Sequence, residues 1–175
     1  MVESSVEKRS PLRLLVIILL SLLLATVFWL GATVAFPGGM TMFAGKRPTN
    51  IGVQAGKLAD CPSSPNCVSS QSLDAEHKIE PLTYNSTTVE AMAQLKKVIE
   101  SEERTKIISA TSNYLYAEFA TKLMGFVDDV EFYLDEAAKV IHVRSASRLG
   151  QSDLGVNRKR IETIRAKFNE LKSNS

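Results

Sequence analysis

Apolar residues follow three successive rhythms along this chain. Over 14–36 they are almost continuous: 23 residues carry no charge, and only Ser21, Thr26, Gly31 and Thr33 break the run. A helix of that length is about 35 Å long, enough to cross a hydrocarbon core of about 30 Å with some tilt. Residues 37–73 lose all periodicity and are punctuated by Pro37, Gly38, Gly39, Gly45, Pro48, Gly52, Gly56, Pro62 and Pro65. That composition predicts irregular chain. Ile51, Val53, Leu58 and both cysteines place its second half on a folded domain.

Beyond residue 73 the pattern alternates between two periods. Thr87 and Glu90 have the spacing of a capping box, and Val89, Met92, Leu95 and Ile99 recur three or four apart, which predicts a helix over 87–103. Period two follows, predicting strands over 107–111 and 114–121 with a turn at Ser112-Asn113, then over 126–135 and 140–147. A short strand at 79–84 precedes the helix. A second helix spans 157–172, with Ile161, Ile164, Phe168 and Leu171 on one stripe. The resulting fold class is α+β: an antiparallel sheet of about four to five strands, two helices on one of its faces, and one N-terminal transmembrane helix ahead of it.

The apolar run exceeds the 7–15 residues usual for a cleaved signal, and Thr33-Val34-Ala35 is a poor cleavage site, so a retained signal-anchor is the preferred reading over a removed leader. Lys8, Arg9 and Arg13 precede it against Lys46 and Arg47 after it, a bias that leaves the N-terminus inside. The expected organisation is a cytoplasmic tail at 1–13, the membrane helix at 14–36, a linker at 37–50 and one extracytoplasmic domain at 51–172. The net charge of +2 disfavours nucleic acid as a partner. It also conceals an asymmetry: 74–136 carries 13 acidic and 6 basic residues, 144–172 carries 8 basic and 3 acidic. Either the two regions face each other, or the basic end meets acidic lipid or an acidic partner.

Two cysteines and two histidines disfavour a disulfide framework and a zinc site, and no cofactor is expected. Cys61 and Cys67 enclose Pro-Ser-Ser-Pro-Asn, a ring short enough that a disulfide contributes about 2 kcal/mol of chain entropy. Outside the cytoplasm a structural disulfide is expected; redox-active thiols and metal binding are the alternatives. In the strand over 126–135, Val130, Phe132 and Leu134 face the core together with Asp128, while Asp129, Glu131 and Tyr133 face away. Pairing Leu134 with Ile141 sets Glu131 opposite Arg144 on the outer face and Asp128 opposite Ser147 on the inner one. The outer pair reads as a surface ion pair worth a fraction of a kcal/mol. Asp128 needs a hydrogen-bond partner or marks a site. A divalent metal on Asp128, Asp129 and Glu131 is disfavoured because neighbouring strand residues point to opposite faces.

Arg148, Gly150, Ser152, Asp153, Gly155, Asn157 and Arg158 form a polar turn leading into the last helix. It supplies either a helix cap or an anion site. His77 and His142 are isolated and read as structural, and Asn85-Ser86-Thr87 is a glycosylation sequon.

Three motifs together resemble a known family. Cys61-Pro62-Ser63-Ser64-Pro65-Asn66-Cys67-Val68-Ser69-Ser70-Gln71, Gly125-Phe126-Val127-Asp128-Asp129-Val130-Glu131-Phe132, and Arg144-Ser145-Ala146-Ser147-Arg148 with Gly150, Ser152-Asp153, Gly155, Asn157-Arg158 and Arg160-Ile161-Glu162 are similar to the domain of unknown function 1499 family over about 51–170. The resemblance implies a membrane-anchored or lumenal protein of bacteria or plastids, in the plasma or thylakoid membrane with its domain in periplasm or lumen. It brings no activity and no catalytic residues. The function expected is a binding or accessory domain, with a membrane complex or a small anionic ligand as partner. A hydrolase- or transferase-like enzyme working through Asp128 and the Arg148–Arg158 cluster is the first alternative; a thiol-redox protein using Cys61 and Cys67 is the second. The candidate ligand or partner residues are Asp128, Arg144, Arg148, Asp153, Asn157 and Arg158.

Overall fold

A computed structural model describes residues 11–35, 43–122 and 124–173. The chain divides into two units, an N-terminal one ending at Met40 and a domain from Thr41 onward. In the first, helix α1 spans Pro11–Ala35, and the residues described on it are exposed all round. Its stretch Pro11–Gly31 is long and apolar enough to cross a membrane. Ser21 and Thr26 turn their hydroxyls onto carbonyls three residues back, Ile18 O and Leu23 O, both at 2.8 Å. These polar groups are therefore satisfied without water, as a lipid surrounding requires. Of the expected cytoplasmic tail, residues 1–10 lie outside the described residues.

The domain has the element order β1 (Cys67–Ser69), β2 (Leu82–Thr83), α2 (Thr88–Glu100), β3 (Thr105–Ala110), β4 (Tyr114–Ala120), β5 (Val127–Asp135), β6 (Val140–Ser147) and α3 (Val156–Ser173). One antiparallel sheet runs β1-β6-β5-β4-β3, with β2 pairing the other end of the β6 edge that β1 occupies. The β5–β6 hairpin pairs Leu134 with Ile141, Glu131 with Arg144 and Asp128 with Ser147, the register expected from the alternation. Leu115, Ala117 and Phe119 on β4, Val130, Phe132 and Leu134 on β5, and Ile141 and Val143 on β6 form the inner face. Both helices cover it, α2 through Leu95, Val98 and Ile99, and α3 through Ile161, Ile164 and Phe168, each of these six at most 2% exposed.

Two elements, α2 and β1, differ from expectation, each for a physical reason. Thr87 caps α2 by accepting from Glu90 N at 3.2 Å, but the helix stops at Glu100, and Arg104 (φ 55°) turns the chain into β3. Val89, in the first turn of α2, points to solvent, while Ala91 and Val98 take core positions. Strand β1 sits inside the stretch read as irregular, because three residues are too few to show a period.

The outer face of the sheet is covered as well. Within the expected linker at 37–50, the ring of Phe43 lies 5.3 Å from that of Phe126, and Arg47 reaches Glu118. At Gly45 (φ +67°) a Cβ would stand 2.9 Å from Arg148 Cβ, so only glycine lets the backbone pass that closely. Gly52 N then donates to Glu131 Oε1 at 2.7 Å. The segment from Phe43 to Gly52 is a strap laid across charged side chains.

Candidate functional site

Beneath the strap, period two places Tyr114, Tyr116 and Glu118 of β4 beside Asp129 and Glu131 of β5, with Arg144 and the residue after β6, Arg148, on the adjoining edge. Arg148 grips Asp129 with two bonds, Nε to Oδ2 at 2.9 Å and Nη2 to Oδ1 at 2.7 Å, and also bonds Glu118. Arg144 Nη1 reaches Glu131 Oε2 at 3.2 Å, and its Nε is buried with no hydrogen-bond partner among the described residues. The tyrosines bond across the diagonal of the sheet: Tyr116 Oη to Asp129 at 2.5 Å and Tyr114 Oη to Glu131 at 2.8 Å. Glu131 is 0% and Asp129 1% exposed. The Glu131–Arg144 pair expected at the surface is therefore a buried pair, since the strap excludes water from it.

Three carboxylates here meet three guanidiniums, with Arg47 the third. Burial, followed by the adjacent carboxylates, pushes the Tyr114 and Tyr116 phenols far up, so both remain protonated donors. Arg148 is driven up by its bond to Asp129 and stays charged. Burial raises the Glu118 carboxyl, but bonds from Arg148 and Arg47 outweigh this and leave it below its usual range.

A second cluster lies at the start of α3. Asn157, 0% exposed, donates from Nδ2 to Asn66 O (3.0 Å) and Ser147 Oγ (2.9 Å) and accepts at Oδ1 from Ser145 Oγ (2.5 Å) and Arg160 Nη1 (2.6 Å). One amide thus ties the entry to β1, the end of β6 and α3 together. Asp128 finds its partner in Arg160, whose guanidinium also lies over the Phe119 ring at 5.0 Å. Asp153 fills the helix start by accepting from Gly155 N (3.0 Å) and Asn157 N (2.7 Å), which is the capping arrangement. Asp128 and Asp153 line one cavity of about 220 Å³, with Phe126, Leu149, Leu154 and Val156.

The six candidate residues therefore do not converge. Asp128, Asp153 and Asn157 gather at the start of α3, whereas Arg144 and Arg148 lie on the opposite face of the sheet. Arg158 holds the carbonyls of Glu76 and Lys78, both at 2.8 Å. Sequence reasoning missed Arg160, Tyr116, Glu118, Arg47 and Asn66. Arg160 had a legible signal: it stands three residues after Asn157, next to the buried Ile161.

The third cluster surrounds the cysteines. Cys61 and Cys67 are at disulfide distance (S–S 2.04 Å); Cys67 is buried, and Cys61 borders an open cleft of about 650 Å³ with His77 and Asp74. His77 Nδ1 bonds Asp74, and its Nε2 faces Ser64 O at 3.1 Å. Both partners are acceptors, an arrangement that favours the protonated ring.

The family model described as a protein of unknown function, DUF1499, matches residues 57–168, most of the domain. The chain belongs to the DUF1499 family. No curated protein matches it. The DUF1499 match includes the disulfide ring, the Asn157 cluster, and Glu118, Asp129, Glu131, Arg144 and Arg148 of the buried network. It begins after the strap, so Arg47 and Gly52 complete that network from outside the matched segment.

Arg148→Ala would leave Asp129 buried without its cation, while Glu118 keeps Arg47. A loss of about 3–5 kcal/mol is expected for breaking such a pair, read by urea unfolding of the domain. Arg47→Ala, at the exposed end of the network, should shift the midpoint far less. Equal effects would mean that the network is open to water.

The two histidines should titrate in opposite directions. Burial disfavours the charged His77 ring, but the bonds to Asp74 and Ser64 outweigh it, raising its pKa above 6.5; burial lowers that of His142 below 6.5. His77 therefore adds stability below pH 6.5 that is lost as pH rises through its raised pKa. His142 removes stability as pH falls below 6.5. An NMR titration, with His77→Gln and His142→Gln for assignment, checks this. Two midpoints together at 6.5 would contradict it.

Proposed function

We propose that this DUF1499 member is a single-pass membrane protein of the plasma or thylakoid membrane. Its domain faces the periplasm or lumen and acts there as a binding or accessory module for a membrane complex or a small anionic ligand. The observation that carries the location is the Cys61–Cys67 pair at disulfide distance, in a chain whose other unit is a 25-residue apolar helix. Such bonds persist in oxidising compartments, which lie across the membrane from the cytosol. The charge-bearing residues support the accessory reading: Asp128, Asp129, Glu131, Arg144, Arg148 and Arg160 all bond within the chain and hold the domain rigid. A rigid surface is what a docking module needs, because little is lost to ordering when a partner binds.

The two cysteines are the only ones in the chain, which makes the location directly testable. Native membranes treated with a polyethylene-glycol maleimide should give no mass shift before reduction and a two-tag shift after it. The chain should also stay in the pellet through alkaline carbonate. Two tags without reductant would place the domain in a reducing compartment. Isolation from detergent-solubilised membranes should yield the chain with a partner or a bound ligand; a monomer with neither contradicts the binding or accessory role.

A further inference from the structure

The rim of the cavity at the start of α3 is apolar and faces outward. Leu154 is 94% exposed and takes a left-handed backbone (φ 54°), a conformation leucine rarely adopts, in the turn before α3. Its side chain contributes nothing to the domain's own core. Around it stand Leu149 (44%) and Val156 (43%), which line the same cavity together with Phe126. The rim continues through Phe126 onto Phe43, 37% exposed, whose ring packs on it. Met124, two residues before Phe126, is 44% exposed.

Charge and chain length indicate what covers this rim. Thr121 and Val156 border both this cavity and its neighbour, which is lined by Lys122, Lys159 and Arg104. The acids in that neighbour, Glu102 and Glu103, are paired with Lys167 and Arg104, so exposed Lys122 and Lys159 stand outside both pairs, while Asp153 of the first cavity accepts from the Gly155 and Asn157 amides. Phe43 follows Ala35, the last residue of α1, by eight residues, a span of at most about 29 Å. Phe43 is thus the first of the rim residues to follow the apolar helix along the chain.

We propose that this rim is a bilayer-contact surface: Phe43, Met124, Leu149, Leu154 and Val156 enter the interfacial zone, and Lys122 and Lys159 meet anionic headgroups. The proposal rests on α1 being a membrane anchor. Interfacial seating of this kind buries the side chains by several ångströms only, so loop-tip residues such as Leu154 suffice.

The full chain, reconstituted in phosphatidylcholine–phosphatidylglycerol vesicles, provides the test. Trp29 is the sole tryptophan, so Trp29→Phe gives a silent background for Leu154→Trp. Emission from the Leu154→Trp protein should be blue-shifted and quenched at least twofold by lipids brominated near the carbonyl region. Lys122→Gln with Lys159→Gln should weaken that quenching. Leu73→Trp, at a fully exposed position on the loop after β1, should be unquenched and unshifted. Equal, unquenched emission from both positions overturns the proposal. A blue shift at Leu154→Trp that depends on protein density and not on bromine shows a second copy on the rim, and overturns it too. If the chain does not float with the vesicles after carbonate, the anchor reading fails and this surface with it, an outcome distinct from unquenched emission in floating protein.

Discussion

Charge removed from water must be matched by charge, and this requirement governs the outer face of the DUF1499 sheet. Alternation along β4 and β5 puts Glu118, Asp129 and Glu131 on one side, and the strap from Phe43 to Gly52 closes over them. Each buried carboxylate left unpaired would cost several kcal/mol. Arg144 and Arg148 remove most of that penalty, and Tyr114, Tyr116 and the Gly52 amide satisfy remaining lone pairs. A sheet that would otherwise have one wet face is thereby packed on both, by helices on one side and by the strap on the other.

The same requirement explains the charge asymmetry of the chain. The acidic middle and the basic end are joined by Glu131–Arg144, Asp129–Arg148, Asp128–Arg160 and Glu102–Lys167. A near-neutral total reflects this internal matching. Exposed Lys122 and Lys159, near the start of α3, take part in none of these four pairs.

How much of this was legible in the sequence depended on period and distance. The β5–β6 register followed from alternation alone, because sliding the pairing by one residue would turn Val130 and Phe132 out of the core. The inward carboxylate of Asp128 was legible for the same reason, and its need of a partner was clear; that the partner is Arg160 depends on how α3 docks, which no local pattern encodes. The strap was illegible because Gly45 and Gly52 read as punctuation, although one permits a close approach to Arg148 and the other donates to Glu131. The Glu131–Arg144 pair reads as exposed for the same reason: alternation puts both on the outer face, and what buries them is the strap. Asn157 read as one of several alternative helix caps, whereas Asp153 caps α3 and Asn157 bonds to the ends of two strands.

The dryness of the covered face is the claim on which the rest stands, and a double-mutant cycle on Glu131 and Arg144 measures it. Glu131→Gln, Arg144→Met and the double variant, unfolded in urea, should give a coupling energy above about 1.5 kcal/mol, towards the upper part of the range for contacting residues. A coupling of a few tenths of a kcal/mol, as for exposed pairs, would show that water reaches the pair and that the strap does not seal the face.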